Sequence, residues 1–303
     1  MRKKLIFVGL GILLTGSIVF GVIYYQRSTS AELSKKDIQV TKKPVIPRKQ
    51  PVYRLNMLKN AEFTANTPVA IEFEIRDENN KVLKAFDTEY KEPMHIMVVR
   101  KDRSNFQHLH PALDKTSGKF TLANFTLPLD GDYRVLADFT SSEAAKDDLG
   151  VKISSAPYID IKTAGGPGVA QPLSIDKLTS SVNGFTADIS PLIGDSAGVT
   201  KTIIANEPIV LINNINKDGV PYKNLETIYG ALGHFISFGP NLEYLHAHPT
   251  FDEKIPQTGS LSFLAHFTSP GQYKIYVQTK ADGQVNTAEY NLTVAPDPVK
   301  KAE

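Results

Sequence analysis

Met94-His-Ile-Met-Val-Val-Arg-Lys-Asp-Arg-Ser-Asn-Phe-Gln-His-Leu-His-Pro111 and Gly233-His-Phe-Ile-Ser-Phe-Gly-Pro-Asn-Leu-Glu-Tyr-Leu-His-Ala-His-Pro249 are two versions of one pattern. Each has a histidine early in an apolar run, a polar turn, and a His-x-His-Pro. The chain has 7 histidines, and all but His266 fall in this pattern: His95, His108, His110, His234, His246 and His248. The first stretch reads as a β-hairpin with strand 94–99, turn 100–105 and return strand 106–110. A turn centred near Asp102 and Arg103 sets His95 opposite His108 to His110. Side chains two apart share a strand face, and cross-strand partners lie about 5 Å apart at Cβ. Three imidazoles can then meet one ion at about 2 Å each. In the second stretch Gly239-Pro-Asn241 is the turn, and His234 stands opposite His246 to His248. That loop is one residue shorter, and a slip of one residue would turn the ligands to the wrong face. Pro111 and Pro249 lack a ladder donor and should end each return strand.

The duplication extends on both sides of the histidines. Thr64-Ala-Asn-Thr-Pro-Val-Ala-Ile-Glu-Phe-Glu-Ile75 aligns with Ile204-Ala-Asn-Glu-Pro-Ile-Val-Leu-Ile-Asn-Asn-Ile215. Downstream, Ser117-Gly-Lys-Phe-Thr-Leu through Tyr133-Arg-Val-Leu-Ala-Asp138 aligns with Thr258-Gly-Ser-Leu-Ser-Phe through Tyr273-Lys-Ile-Tyr-Val-Gln278. Val69 to Ile75 alternates as a half-buried strand does, and Asp77-Glu-Asn-Asn80 supplies a turn. The stretch from Ser142 to Leu149 allows one or two helical turns. Short strands at regular spacing, in units of roughly 110–125 residues, are too long for a solenoid repeat and predict a domain duplication. The fold class expected is all-β: two tandem antiparallel immunoglobulin-like β-sandwiches, at residues 52–160 and 172–296, with a tail at 297–303. The Gly/Pro-rich run 160–171 marks the boundary.

The formal net charge of +2 gives no nucleic-acid footprint. The absence of cysteine excludes disulfides, thiolate zinc and copper sites and cysteine nucleophiles. No Gly-x-Ser-x-Gly elbow and no phosphate loop appears. At the N-terminus Arg2, Lys3 and Lys4 precede an uncharged run from Leu5 to Tyr25, long enough for a bilayer helix. Residues 1–27 therefore read as a signal anchor, with everything beyond outside the cytoplasm and the protein a single-pass resident of the cell membrane. Cleavage after Ala31 is the alternative. Residues 28–51, with Lys35, Lys36, Lys42, Lys43, Arg48, Lys49 and three prolines, form a basic stalk.

The six histidines are the candidate ligands for a copper or zinc ion, one per domain and up to two in all. Two sites facing each other and sharing one ion is a further arrangement the sequence leaves open. For a fourth ligand the first copy offers Asp138 and Glu92, and the second offers His266 and Glu243. Two other classes remain. One is a cupin-like metallo-oxygenase, suggested by His108-x-His110-x-x-x-Asp114 and His246-x-His248-x-x-x-Asp252. No histidine follows the later turns, as a cupin would need. The other is a surface scaffold or adhesion module whose histidines tie loops by hydrogen bonds.

The stretches Glu92-Pro-Met-His-Ile-Met-Val-Val and Phe106-Gln-His-Leu-His-Pro111, with Tyr229-Gly-Ala-Leu-Gly-His-Phe and Tyr244-Leu-His-Ala-His-Pro249, resemble a group of bacterial extracytoplasmic proteins. Their units are similar to YtkA-like and copper-resistance CopC-like β-sandwiches. The resemblance covers about residues 55–295. It implies an immunoglobulin-like fold outside the cytoplasm and involvement with copper or a related metal, with the six histidines as ligands. The chain departs from the CopC pattern, which has an N-terminal histidine and a different ligand arrangement, so the metal stays open. The expected role is binding, buffering or delivering the ion rather than catalysis, with a metal transporter or acceptor protein as partner.

Overall fold

The computed structural model describes residues 52–298 apart from 60–61, 89–91, 145–151, 153, 169–172, 174–175, 193–201 and 250–256. The expected membrane helix, the stalk and most of the 142–149 segment lie outside the described residues. Among those described, no helix is long and apolar enough to cross a membrane.

The first half contributes β1 (Arg54–Met57), β2 (Phe63–Thr64), β3 (Val69–Arg76), β4 (His95–Arg100), β5 (Gln107–Leu109), β6 (Ala112–Asp114), β7 (Lys119–Phe125), β8 (Gly131–Asp138) and β9 (Tyr158–Ala164). The second contributes β10 (Thr179–Val182), β11 (Phe185–Pro191), β12 (Pro208–Lys217), β13 (Val220–Pro221), β14 (Gly233–Phe238), β15 (Tyr244–Ala247), β16 (Ser260–His266), β17 (Gly271–Ala281) and β18 (Gln284–Val294). The chain is all-β, as expected.

Each half stacks two sheets. In the first, β1-β3-β7-β6 packs against β2-β9-β8-β4-β5. The core between them takes Ile71, Phe73 and Ile75 from β3, Ile96 and Val98 from β4, and Val135 and Ala137 from β8. In the second, β10-β11-β12-β13, with β16 also on β12, packs against β15-β14-β17-β18. Leu211, Phe235, Phe263, Ile275 and Tyr290 fill that core. The named strands pair antiparallel except that β2 runs parallel to β9, and an isolated parallel bridge joins Ile204 to Ala295. Strand β9 also passes residue 160 and ends at Ala164, because Ile159 and Ile161 pack on the first core. In both halves a tyrosine hydroxyl donates to the carbonyl four residues back, Tyr133 to Leu129 at 3.0 Å and Tyr273 to Ser269 at 2.9 Å.

The two halves share a third apolar cluster of Met97, Val99, Leu136, Ile236, Phe238, Leu242 and Tyr276, with Phe106 and Tyr244 packed on it. Its logic is strand parity. In β4 the even residues Ile96 and Val98 face the first core, so Met97 and Val99 face the other way. In β17 Ile275 and Val277 face the second core and Tyr276 faces out. Every residue of β4 and of β14 is buried. A strand buried on both faces reads as a continuous apolar run, which is what Ile96–Val99 is. The outer face of β4-β8 is thus covered by the outer face of β14-β17. At 4.6 Å between centroids, Phe106 stacks on Tyr276 across this seam, and the Tyr276 hydroxyl donates to the Arg103 carbonyl.

Candidate metal centre

The seam has an apolar end and a histidine end. Continuing the same parity along β4 and β14 puts His95 and His234 on the seam faces, beyond Met97 and Ile236. Strand β5 pairs Met97 with His108 and Ile96 with Leu109. The same register sets His110 opposite His95. Strand β15 pairs Ile236 with His246 and Phe235 with Ala247, which sets His248 opposite His234. The one-residue difference between the loops is absorbed in the turns, not in the register. Arg103 and Leu242 each adopt a left-handed conformation, at φ 68° and 61°, inside those turns.

The result is two triads. His95 Nδ1 lies 2.9 Å from His108 Nε2 and 3.0 Å from His110 Nε2. His234 Nδ1 lies 3.2 Å from His246 Nε2 and 3.1 Å from His248 Nε2. Within each triad one ligand atom per residue lies within 4.8 Å of the others. A tetrahedral ion with bonds of about 2.0–2.1 Å holds its ligand nitrogens about 3.3 Å apart. A few tenths of an ångström of expansion would bring these nitrogens to that spacing.

The triads adjoin one another. Ring centroids of His108 and His234 are 5.0 Å apart, and those of His95 and His246 are 5.3 Å apart. Each half also reaches into the triad of the other. His108 Nδ1 lies 2.9 Å from Gln278 Oε1 on β17. His246 Nδ1 lies 2.9 Å from Asp138 Oδ2 on β8, which also accepts from the Tyr244 hydroxyl at 2.7 Å. Asp138 stands opposite His95 in the β4–β8 ladder, as Gln278 stands opposite His234 in the β14–β17 ladder. The arrangement is a reciprocal pair of braces.

These contacts fix where the protons sit. An amide oxygen, a carboxylate and a backbone carbonyl only accept. His108 must therefore donate from Nδ1 to Gln278, which leaves a lone pair on Nε2 when the ring is neutral. His234 donates from Nε2 to the Ile228 carbonyl at 2.9 Å, so its Nδ1 is a lone pair. With Asp138 ionised, His246 donates from Nδ1 and its Nε2 is a lone pair too. Two lone pairs then face each other at 3.2 Å with no proton between them. That contact repels unless a cation lies at the focus of the triad.

Burial holds the rings in their neutral, ligating form. It pushes His95 and His248 to about 2, with the charge of His246 next in weight for both. It pushes His246 to about 3, His110 and His234 to about 4, and His108 well below the ordinary imidazole value. Burial raises the Asp138 carboxyl, opposed by the Tyr244 hydroxyl. A cation at the second triad would act on Asp138 in the same sense as Tyr244.

The other sequence candidates fall elsewhere. Asp138 belongs to the seam, but its carboxylate is held by His246 and Tyr244 of the second half and does not complete the first triad. His266 ends β16, exposed and paired with Pro208, and is in neither triad. Glu243 accepts from the Asn241 backbone and side chain in the β14–β15 turn. Glu92 is half-buried and joins neither triad. Asp114, the cupin-like carboxylate, caps its own turn through Thr116 N and Ser117 Oγ. Its counterpart Asp252 lies outside the described residues. Met94 packs in the first core and Met97 in the seam. Gln278, Ile228 and Tyr229 went unread in the sequence. Tyr229 packs its ring 3.9 Å from that of His110 and closes the side of the cluster. The signal for Gln278 was the alignment that sets it at the place of Asp138.

No curated protein matches the chain. Among solved structures it is similar to red sea bream transglutaminase at 10% identity and TM-score 0.23, covering 95% of this chain and 34% of that one. It is similar to Escherichia coli alpha-2-macroglobulin activated by porcine elastase, at 10% identity and TM-score 0.25, covering 82% and 20%. It is also similar to titin A168169, at 10% identity and TM-score 0.19, covering 81% and 99%. The chain thus spans about a third of the transglutaminase and a fifth of the macroglobulin. Residues 51–147 and 194–296 match the family described as Domain of unknown function (DUF8832), in two regions that fall one on each half. The chain therefore belongs to the DUF8832 family.

Proposed function

We propose that the protein binds transition-metal ions at two three-histidine sites and serves to hold, buffer or hand on that ion outside the cytoplasm. The observation that carries this is the convergence of three imidazole nitrogens, twice, and in the second triad the outward nitrogens of His234 and His246 tied to acceptors so that their inward lone pairs face each other. A purely structural histidine cluster would put a proton between neighbouring nitrogens. Neutral imidazole with no thiolate favours Cu(II) or Zn(II), with Cu(II) ahead on the Irving–Williams order and on the resemblance to YtkA-like and CopC-like sandwiches. His110 and His248 are only half-buried and give each triad an open side for ion exchange. Three protein ligands leave one coordination position for water or for a donor from an acceptor protein. The role read here is binding rather than catalysis, with a transporter or metal acceptor as partner and the N-terminal segment as membrane anchor. The duplicated tyrosine hydrogen bond supports an immunoglobulin-like reading of each sandwich.

The test is metal content by mass spectrometry of the full-length protein in detergent, after equilibration with Cu(II) or Zn(II) and buffer exchange. The parent should retain about two ions per chain, one for each triad. His108→Ala and His246→Ala should each lose one. No retained ion in the parent would overturn the reading.

A further inference from the structure

We propose that the two triads are unequal and load in order, the His234–His246–His248 triad first, because Asp138 of the first half orients His246 while Gln278 of the second half orients His108. The inference rests on the metal-binding reading above. Its ground is the kind of atom behind each ligand. A ligating imidazole gains basicity and a fixed orientation when its other nitrogen donates to an outer partner, and such partners change metal affinity by about 10–100-fold. A carboxylate is a stronger acceptor than an amide oxygen. Asp138 Oδ2 and Gln278 Oε1 sit at the same distance, 2.9 Å, from equivalent nitrogens, so the difference between the sites is chemical rather than geometric.

A second observation points the same way. His234 Nε2 is tied to the Ile228 carbonyl at 2.9 Å, whereas the equivalent His95 Nε2 is buried without a hydrogen-bond partner. The second triad thus has two of its imidazoles fixed from behind by acceptors, and the first has one, fixed by a neutral amide. Tyr244 adds to the difference, because its hydroxyl holds Asp138 at the angle His246 needs. Gln278 is held by its own nitrogen on Thr287 Oγ1, at 3.1 Å.

Each brace crosses the seam. The first ion to bind therefore engages His246 through a residue of the other half, and fixes the β4-β8 face on the β14-β17 face. The first triad, whose Gln278 brace depends on that same docking, is presented better once the second is filled. The ordered loading is a positioning effect of Asp138 and Gln278, neither of which touches the ion.

The experiment is Zn(II) titration of the full-length protein in detergent against a chromophoric chelator. His110→Ala leaves the second triad intact and His248→Ala leaves the first. His110→Ala should bind Zn(II) about 10–100-fold more tightly than His248→Ala. The paired exchange Asp138→Asn with Gln278→Glu keeps one carboxylate and one amide in the seam, and should reverse that order. A merely structural role for the two residues would weaken both triads and leave their order unchanged. Equal affinities in the two histidine variants would overturn ordered loading, and an order that survives the exchange would overturn its origin in Asp138 and Gln278; both outcomes leave two metal sites in place. No Zn(II) bound by the parent would overturn the metal-binding reading and this inference with it.

Discussion

Acid should dismantle the metal-free seam well above the range in which carboxylates titrate. His95, His108 and His234 are 2%, 5% and 0% exposed, and burial holds all three far below the imidazole value of the unfolded chain. For such groups the neutral form is favoured by folding. Their contribution is intact above about pH 6.5, the unfolded value, and is lost as the pH falls below it, because the unfolded chain then takes up protons that the folded chain refuses. Each unit of pH below 6.5 costs about 1.4 kcal/mol per histidine until the folded value is reached. At about pH 5 that is about 2 kcal/mol each, or about 6 kcal/mol for the three, against total stabilities of about 5–15 kcal/mol for ordinary domains. The raised Asp138 acts in the opposite sense, gaining stability as pH falls, but it is one group against three. Urea unfolding of the chelator-treated protein, followed by circular dichroism at about pH 7.5, 6.5, 5.5 and 5.0, measures the loss. Most of it should appear between pH 6.5 and 5. Stability that is flat over that window, or falls only below about pH 4, would refute the argument that the six-imidazole cluster is held neutral by burial.

Other outcomes follow from particular contacts. Tyr276→Ala should cost about 3–5 kcal/mol and separate the unfolding of the two halves into two transitions by calorimetry, since it removes both the Phe106 stack and the bond to the Arg103 carbonyl. Tyr133→Phe and Tyr273→Phe should each cost about 1 kcal/mol in urea unfolding by deleting the corner hydrogen bond. Gly271→Ala should cost about 1–3 kcal/mol, because φ there is 130° and a Cβ would stand 2.5 Å from Pro240 Cγ. Added Zn(II) should raise the thermal midpoint of the parent and leave that of the His108→Ala, His246→Ala double variant unmoved.

The hairpins were legible because their information is local. A polar turn, an alternating strand and a proline stop fix a register, and the register fixes which histidines meet. The one-residue difference between the loops looked like a threat to the second triad. It was harmless because β14 has to bury Phe235 in one core and Ile236 in the seam, and a slip would exchange them. What sequence could not supply was the partner of the β4-β8 outer face. Nothing in the sequence marks Met97 and Val99 for the seam, since an apolar residue does not announce which of two cores it joins. For the same reason the sequence offers Asp138 as a fourth ligand of the first copy and not as the partner of His246 in the other half, which only the docking of the two sheet faces brings near.

The reciprocal braces have the geometry of a two-fold dimer interface, in which residue i of one copy meets residue j of the other and the reverse. In a true homodimer the two braces would have to be the same amino acid. Joining both copies in one polypeptide removes that constraint: position 138 can be aspartate while position 278, its twin, is glutamine. Covalent fusion is what permits two otherwise equivalent sites to be tuned apart, one substitution at a time, without either half giving up the surface by which it holds the other.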